Sequence, residues 1–333
     1  MIQYSKTIRE EMDNMSTYIC SDLHGQYDLF VQLLDKISFS EEDKMFVLGD
    51  VIDRGPDSIK LLQELMSRPN IICLLGNHEL MMMEAFSLGT NGIPDYDDIW
   101  LAAQNGGDRT LNQFWRLSEK EKVAVVDYLR DLYLQYEIQM PSHTYLLSHS
   151  SFLKDEGTLR FADRTRKDVF RVVWYSPWRI FEREQSEYYK ADGRVHIIGH
   201  VPIQAIDKDL SENPQAYIHP SGSIINIDCG CALLGKGALN PAGICCMDLE
   251  KYDRGEDDCF YYVLKDRKSP ESKETFSQKI QTASPDDLLC ELLEKYSEFG
   301  NALDTSDEEA MANAEWYYTT VWSTIIEKLK QKK

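Results

Sequence analysis

Three short apolar runs, Tyr18–Cys20, Met45–Leu48 and Ile71–Leu75, alternate with two helical patterns, and each run stops at a polar block. Leu29, Phe30, Leu33, Leu34 and Ile37 recur at helical spacing after the first run. Ile59, Leu62, Leu65 and Met66 do so after the second, with Pro56 suited to a first turn. Strand, helix, strand, helix, strand predicts parallel βαβ units. Ligands of such sheets collect beyond the carboxyl ends of the strands, where this sequence concentrates Asp and His.

The remainder of the chain is consistent with an α/β fold. Glu84 to Met140 reads as helices and loops, with Asn105-Gly106-Gly107 between two helical patterns. Tyr145–Leu147 and Val195–Ile198 read as strands that end at Ser148-His149 and Gly199-His200. Tyr217–His219, Ile224–Ile227, Ile244–Met247 and Phe260–Leu264 read as a second sheet. The expected architecture is two packed mixed β-sheets flanked by helices. Residues 1–16 form an expected N-terminal extension and 17–266 one large α/β domain. Residues 267–333 form a linker and a C-terminal helical extension, with amphipathic patterns at Asp286–Phe299 and Glu308–Leu329.

Charge narrows the partners. The 333 residues include 36 Lys plus Arg against 56 Asp plus Glu, a net charge of −20. That field repels phosphate backbones and argues against nucleic acid, yet leaves room for a local basic pocket. No stretch approaches the apolar length of a membrane span, and Met1 to Asn14 lack the apolar core of a secretory signal. The expectation is a cytoplasmic protein without a membrane partner. The eight cysteines form no CxxC pair. The spacings of Cys229 and Cys231 and of Cys245 and Cys246 suit neither a zinc site nor a disulfide framework, so reduced, buried thiols are expected.

Asp22, His24, Asp50, Asn77, His149 and His200 all fall at predicted strand ends. Two carboxylates, three imidazoles and an amide suit Mn, Fe or Zn. If one carboxylate bridges, six ligands are enough for two divalent ions, which can activate water and clamp a phosphoryl group together. Asp22 and His24 stand at i and i+2, on one side of an extended strand end. Asp50, at the neighbouring strand end, could reach both ions.

The blocks Ser21-Asp22-Leu23-His24-Gly25, Gly49-Asp50-Val51-Ile52-Asp53-Arg54-Gly55 and Gly76-Asn77-His78-Glu79 resemble, in order and spacing, the signature blocks of the phosphoprotein phosphatases. These are calcineurin-like metallophosphoesterases. The resemblance extends through Ser148-His149, Gly199-His200 and Ile227-Asp228-Cys229-Gly230, and covers about Tyr18 to Val263. The Asn105-Gly106-Gly107 block is similar to bacterial and phage members. The resemblance implies that Asp22, His24 and Asp50 hold one ion, with Asp50 bridging, and that Asn77, His149 and His200 complete the second. A metal-activated water would attack phosphorus. His78 would protonate the leaving oxygen, Asp53 would orient His78, and Arg54 and Asn77 would contact the phosphoryl group. It implies a bacterial-type serine/threonine protein phosphatase with phosphorylated proteins or peptides as substrates. A dinucleoside polyphosphate hydrolase is the second reading, and a weakly catalytic binding module the third. The dinucleotide branch typically replaces the Asp of the second block and ends the third in Asp; here Asp53 and Glu79 stand.

Three departures stand out. Ser21 replaces a usual Gly, and Ser150-Ser151 follow His149 where small Gly or Ala residues are usual. The second phosphate-binding arginine is assigned to Arg179, with Arg171 as the alternative. His143 and His219 are expected at the surface, and His196 toward the core. Met81, Met82 and Met83, with Tyr188, Tyr189 and Trp178, are expected to pack.

Overall fold

The computed structural model describes residues 15–88, 99–102, 104–178, 182–210, 213–234 and 241–265, with Thr324 and Lys328. The chain divides into one unit of Met1–Gly235 with Asn240–Lys265 and another of Lys236–Leu239 with Asp266–Lys333. In the second unit Thr324 and Lys328 are helical and half-buried. The rest of the expected linker and C-terminal helices lies outside the described residues, as does the N-terminal extension before Met15.

The described residues of the first unit form two mixed sheets. In one, β1 (Thr17–Cys20), β2 (Lys44–Val47) and β3 (Ile71–Cys73) run parallel, joined by the helices Tyr27–Lys36 and Ser58–Ser67. The other contains β4 (Tyr133–Gln139), β5 (Thr144–Ser148), β6 (Leu159–Arg160), β7 (Val195–Ile198), β8 (Tyr217–Ile218) and β9 (Ile224–Asn226). Its order is β6-β4-β5-β7-β9-β8, with β5, β7 and β9 parallel. Finally β10 (Ala242–Asp248) and β11 (Phe260–Lys265) add to the first sheet, giving β11-β10-β1-β2-β3.

Side-chain alternation builds three apolar layers. Ile19 of β1, Phe46 of β2, Tyr145 and Leu147 of β5, Ile197 of β7 and Ile225 of β9 meet in one core. Tyr18, Cys20, Met45 and Val47 point the other way, onto Leu29, Phe30, Leu33, Ile59 and Leu62 of the two crossover helices. Leu146, Ile198 and Ile224 pack outward with Phe152 and Tyr189. Each fully buried aliphatic side chain contributes about 1.5–3 kcal/mol. These layers leave the ends of β1, β2, β3, β5 and β7 as the rigid rim on which the candidate site stands.

Two expectations change. The stretch read as helices and loops before Met140 ends in β4. Its alternation is masked by Gln135, a fully buried amide that donates to the carbonyls of Glu156 and Gly157 and accepts the Leu153 amide. The strands expected as one second sheet after Tyr217 are divided between both sheets. β10 is buried along its whole length, which suits an interior strand, and it fills the edge of β1 opposite β2.

Candidate metal centre

The rim is made by backbone reversals. Asp22, His24, Asp50, Asp53, Arg54 and His200 have φ of 52°, 41°, 52°, 72°, 64° and 71°. Non-glycine residues held there cost roughly 1–3 kcal/mol each, and such strain clusters at functional sites. Asp22 and His24 converge through these turns beyond β1, not through an extended pleat. Gly199 is dictated by proximity: a Cβ there would overlap Asp22 Oδ2 and Ser21 Oγ.

Glu79 fixes the loop after β2. Its Oε2 accepts the Asp50 and Gly76 amides at 2.9 and 3.0 Å, and its Oε1 those of Val51 and Ile52 at 2.8 and 3.3 Å. The sequence identified Glu79 as a branch marker but not as this clamp. In turn, the His78 amide donates to Asp50 Oδ1 at 3.0 Å.

Two imidazoles have their tautomer set by the backbone. His24 Nδ1 faces Ile52 O at 3.0 Å, and His149 Nδ1 faces Leu48 O at 2.8 Å. A carbonyl only accepts, so each Nδ1 carries the proton and each Nε2 presents a lone pair. His149 Nε2 then lies 2.9 Å from Asn77 Oδ1, 3.2 Å from His200 Nδ1 and 3.4 Å from Asp50 Oδ1. Asn77 Oδ1 is 2.9 Å from His200 Nδ1. The His149 Nε2, the Asn77 Oδ1 and the Asp50 Oδ1 converge on one point, an arrangement that suits a shared cation.

The donor atoms form two groups, His24, Asp50 and His78, and Asp50, His149 and His200, each within 4.8 Å. Asp50 belongs to both through different oxygens: Oδ2 lies 3.6 Å from His24 Nε2 and 3.9 Å from His78 Nε2, while Oδ1 faces His149. Asp22 is outside both groups. Its Oδ2 accepts the Ser21 hydroxyl and the His200 amide, and its Oδ1 is buried without a hydrogen-bond partner. That orphaned oxygen also fits a cation.

Electrostatics agree with this donor set. Burial pushes the carboxyls of Asp22, Asp50 and Asp228 upward, and Asp22 raises the other two further. Asp228 was noted in the sequence only as part of a block; its Oδ1 accepts the Gly230 amide at 2.8 Å. Burial, then Arg54 and His78, pull His24 well down and keep it in the neutral, ligand form. A divalent cation offsets the repulsion among these carboxylates.

Beside this cluster, Asp53 Oδ2 is 2.6 Å from His78 Nδ1, and both residues are fully buried. Asp53 also accepts from Trp100 Nε1 and Thr110 Oγ1. Burial raises Asp53 to about 7, against the pull of Thr110 and Trp100. Arg54 Nη1 reaches His24 Nε2 at 2.8 Å, and Arg109 donates to the Arg54 carbonyl at 3.0 Å.

Arg179 lies outside the described residues. The alternative, Arg171, is exposed and engages the Tyr188 hydroxyl at 3.3 Å. His143 is exposed and His219 half-buried against Trp178, while His196 is buried between Asp192 and Phe152. Met81 and Met82 are buried in the helix-side core. Tyr189 is buried, Tyr188 stacks on Phe152, and Trp178 packs on Tyr217. The cysteines among the described residues are buried thiols.

A family model, the calcineurin-like phosphoesterase, matches residues 15–204. The serine/threonine-protein phosphatase 2 of Escherichia coli is 32% identical over 139 residues, 40% of this chain and 58% of that one. The symmetrical bis(5'-nucleosyl)-tetraphosphatase of Haemophilus ducreyi is 34% identical over 138 residues, 41% of this chain and 45% of that one. The chain thus spans about half the length of the curated relatives it matches. Among solved structures, a Saccharomyces cerevisiae protein serine/threonine phosphatase aligns at 14% identity and a TM-score of 0.42, covering 77% of this chain and 81% of that one. The match to the family model extends over more than half of the sequence, and the chain belongs to the calcineurin-like phosphoesterase family.

Proposed function

We propose that the protein is a metal-dependent phosphoester hydrolase whose substrates are phosphoseryl and phosphothreonyl proteins or peptides. The observation that carries the substrate choice is the Asp53–His78 pair, 2.6 Å apart and adjacent to Asp50. A serine alkoxide is a poor leaving group and needs a proton donor. A nucleoside phosphate leaves easily and needs one less. The Asp53 acceptor on Nδ1 holds the His78 ring so that an Nε2 proton can be delivered to the leaving oxygen.

Asp22, His24 and Asp50 would hold one ion, and Asp50, Asn77, His149 and His200 the other. When bound, a divalent pair of the Mn, Fe or Zn type supplies Lewis acidity and water activation. The chain's own residues do the rest. Arg54, with its planar guanidinium, would take two phosphoryl oxygens, and Asn77 would contact the phosphoryl group. The reversed backbone at Asp22, His24, Asp50 and His200 sets the donors before substrate arrives.

The dinucleotide reading rests on relatives bearing that name. A substrate panel separates the two. With Mn added, kcat/KM for phosphoserine or phosphothreonine peptides should exceed that for diadenosine tetraphosphate. A clear preference for the dinucleotide would promote the second reading. Among the described residues no helix is long and apolar enough to cross a membrane.

A further inference from the structure

We propose that Thr110 and Trp100 are positioning residues for the His78 proton donor, holding the Asp53 carboxylate in the orientation that aims the His78 ring. The proposal rests on the general-acid reading of His78 given above.

Asp53 is held by donors from three elements. Oδ2 receives His78 Nδ1 at 2.6 Å, from the helix Asn77–Leu88, and Trp100 Nε1 at 2.9 Å, from the turn Ile99–Leu101. Oδ1 receives Thr110 Oγ1 at 2.6 Å, from the helix Gly107–Trp115. The Thr110 hydroxyl also accepts the Asp53 amide at 3.1 Å, so one side chain grips both the backbone and the carboxylate. Trp100, Thr110, Asp53 and His78 are all 0% exposed. Burial alone does not fix a carboxylate, because its last torsion is broad and two-fold. Donors on both oxygens do fix it.

The Asn105-Gly106-Gly107 block is explained by the same packing. A Cβ on Gly107 would stand 2.6 Å from Trp100 Nε1, and one on Gly106 2.8 Å from the Arg54 amide. Gly106 also has φ of 70°. Only glycines let this helix start close enough for Thr110 to reach Asp53. With Thr110 removed, the Oδ1 anchor is lost, the carboxylate can turn, and the ring bonded to Oδ2 turns with it. The Asp53 amide keeps its bond to Ser58 Oγ at 2.9 Å, so the backbone remains held.

The test uses the full chain with Mn and two phosphomonoesters, so it does not depend on the protein or dinucleotide reading. Phenyl phosphate expels phenol, with a pKa near the tyrosine value of about 10. Para-nitrophenyl phosphate expels a far more acidic phenol and needs little protonation. His78→Asn should lose about 10²–10⁴-fold on phenyl phosphate and much less on the nitrophenyl ester. Thr110→Val should lose on the order of 10–10²-fold in kcat on phenyl phosphate, stay within about twofold on the nitrophenyl ester, and keep KM on both. Thr110→Ser should restore kcat. Trp100→Phe should show the same split, and carries the comparison if Thr110→Val fails to fold. Equal losses on both esters in Thr110→Val, or no rescue by serine, would make Thr110 merely structural and overturn the proposal. A split in His78→Asn with none in Thr110→Val and Trp100→Phe would leave the acid and remove the positioning. Equal losses in His78→Asn would remove both.

Discussion

Asp50→Asn should lower kcat by at least about 10³-fold, since the charge stabilisation from bound ions is worth several kcal/mol and each 1.36 kcal/mol is tenfold. Asp50 is the residue common to both donor groups. Asparagine keeps the shape and an acceptor for the His78 amide, so the loop can stay in place. What is lost is the charge facing His24 on one side and His149 on the other. Metal content should fall with activity. The metal-free variant should also melt above metal-free wild type, because burial, Asp22 and Glu79 all disfavour the Asp50 carboxylate. Calorimetry on chelator-treated proteins reads this directly. A variant with wild-type metal content and rate would mean that Asp50 does not bridge.

Glu79→Gln should cost about 1–3 kcal/mol of stability, the range for leaving a buried amide unsatisfied. Glu79 is 1% exposed and accepts amides from Asp50, Val51, Ile52 and Gly76. Burial pushes its carboxyl up, while His149 and the amides of Ile52, Asp50 and Val51 pull it back. A glutamine turns an NH₂ group toward at least one amide that it cannot satisfy. Urea unfolding should show a lower midpoint with an unchanged slope. A midpoint matching wild type would mean that the four amides find other partners, and that Glu79 is not the clamp.

Much of the rim was legible because apolar runs stop abruptly at polar residues. Tyr18–Cys20 before Asp22 and Val195–Ile198 before His200 are such cases. Nothing local reveals which strands are neighbours. β10 pairs with β1 across more than half the chain, and its full burial hides any alternation. β4 escaped because a polar Gln135 occupies a buried place and is satisfied by backbone. Local pattern also cannot show that Trp100 and Thr110 reach Asp53 across 47 and 57 residues. Their one signal was the paired glycines beside them. The left-handed turns at Asp22, His24 and Asp50 carry no signal either, since those residue types were already accounted for as ligands.

The central claim is a dinuclear centre built on Asp50. It is tested most directly by titrating chelator-treated protein with Mn while measuring bound metal and phosphoesterase rate on the same samples. The account predicts two ions per chain, with the rate appearing as the second site fills. Full activity with no more than one ion per chain would contradict it.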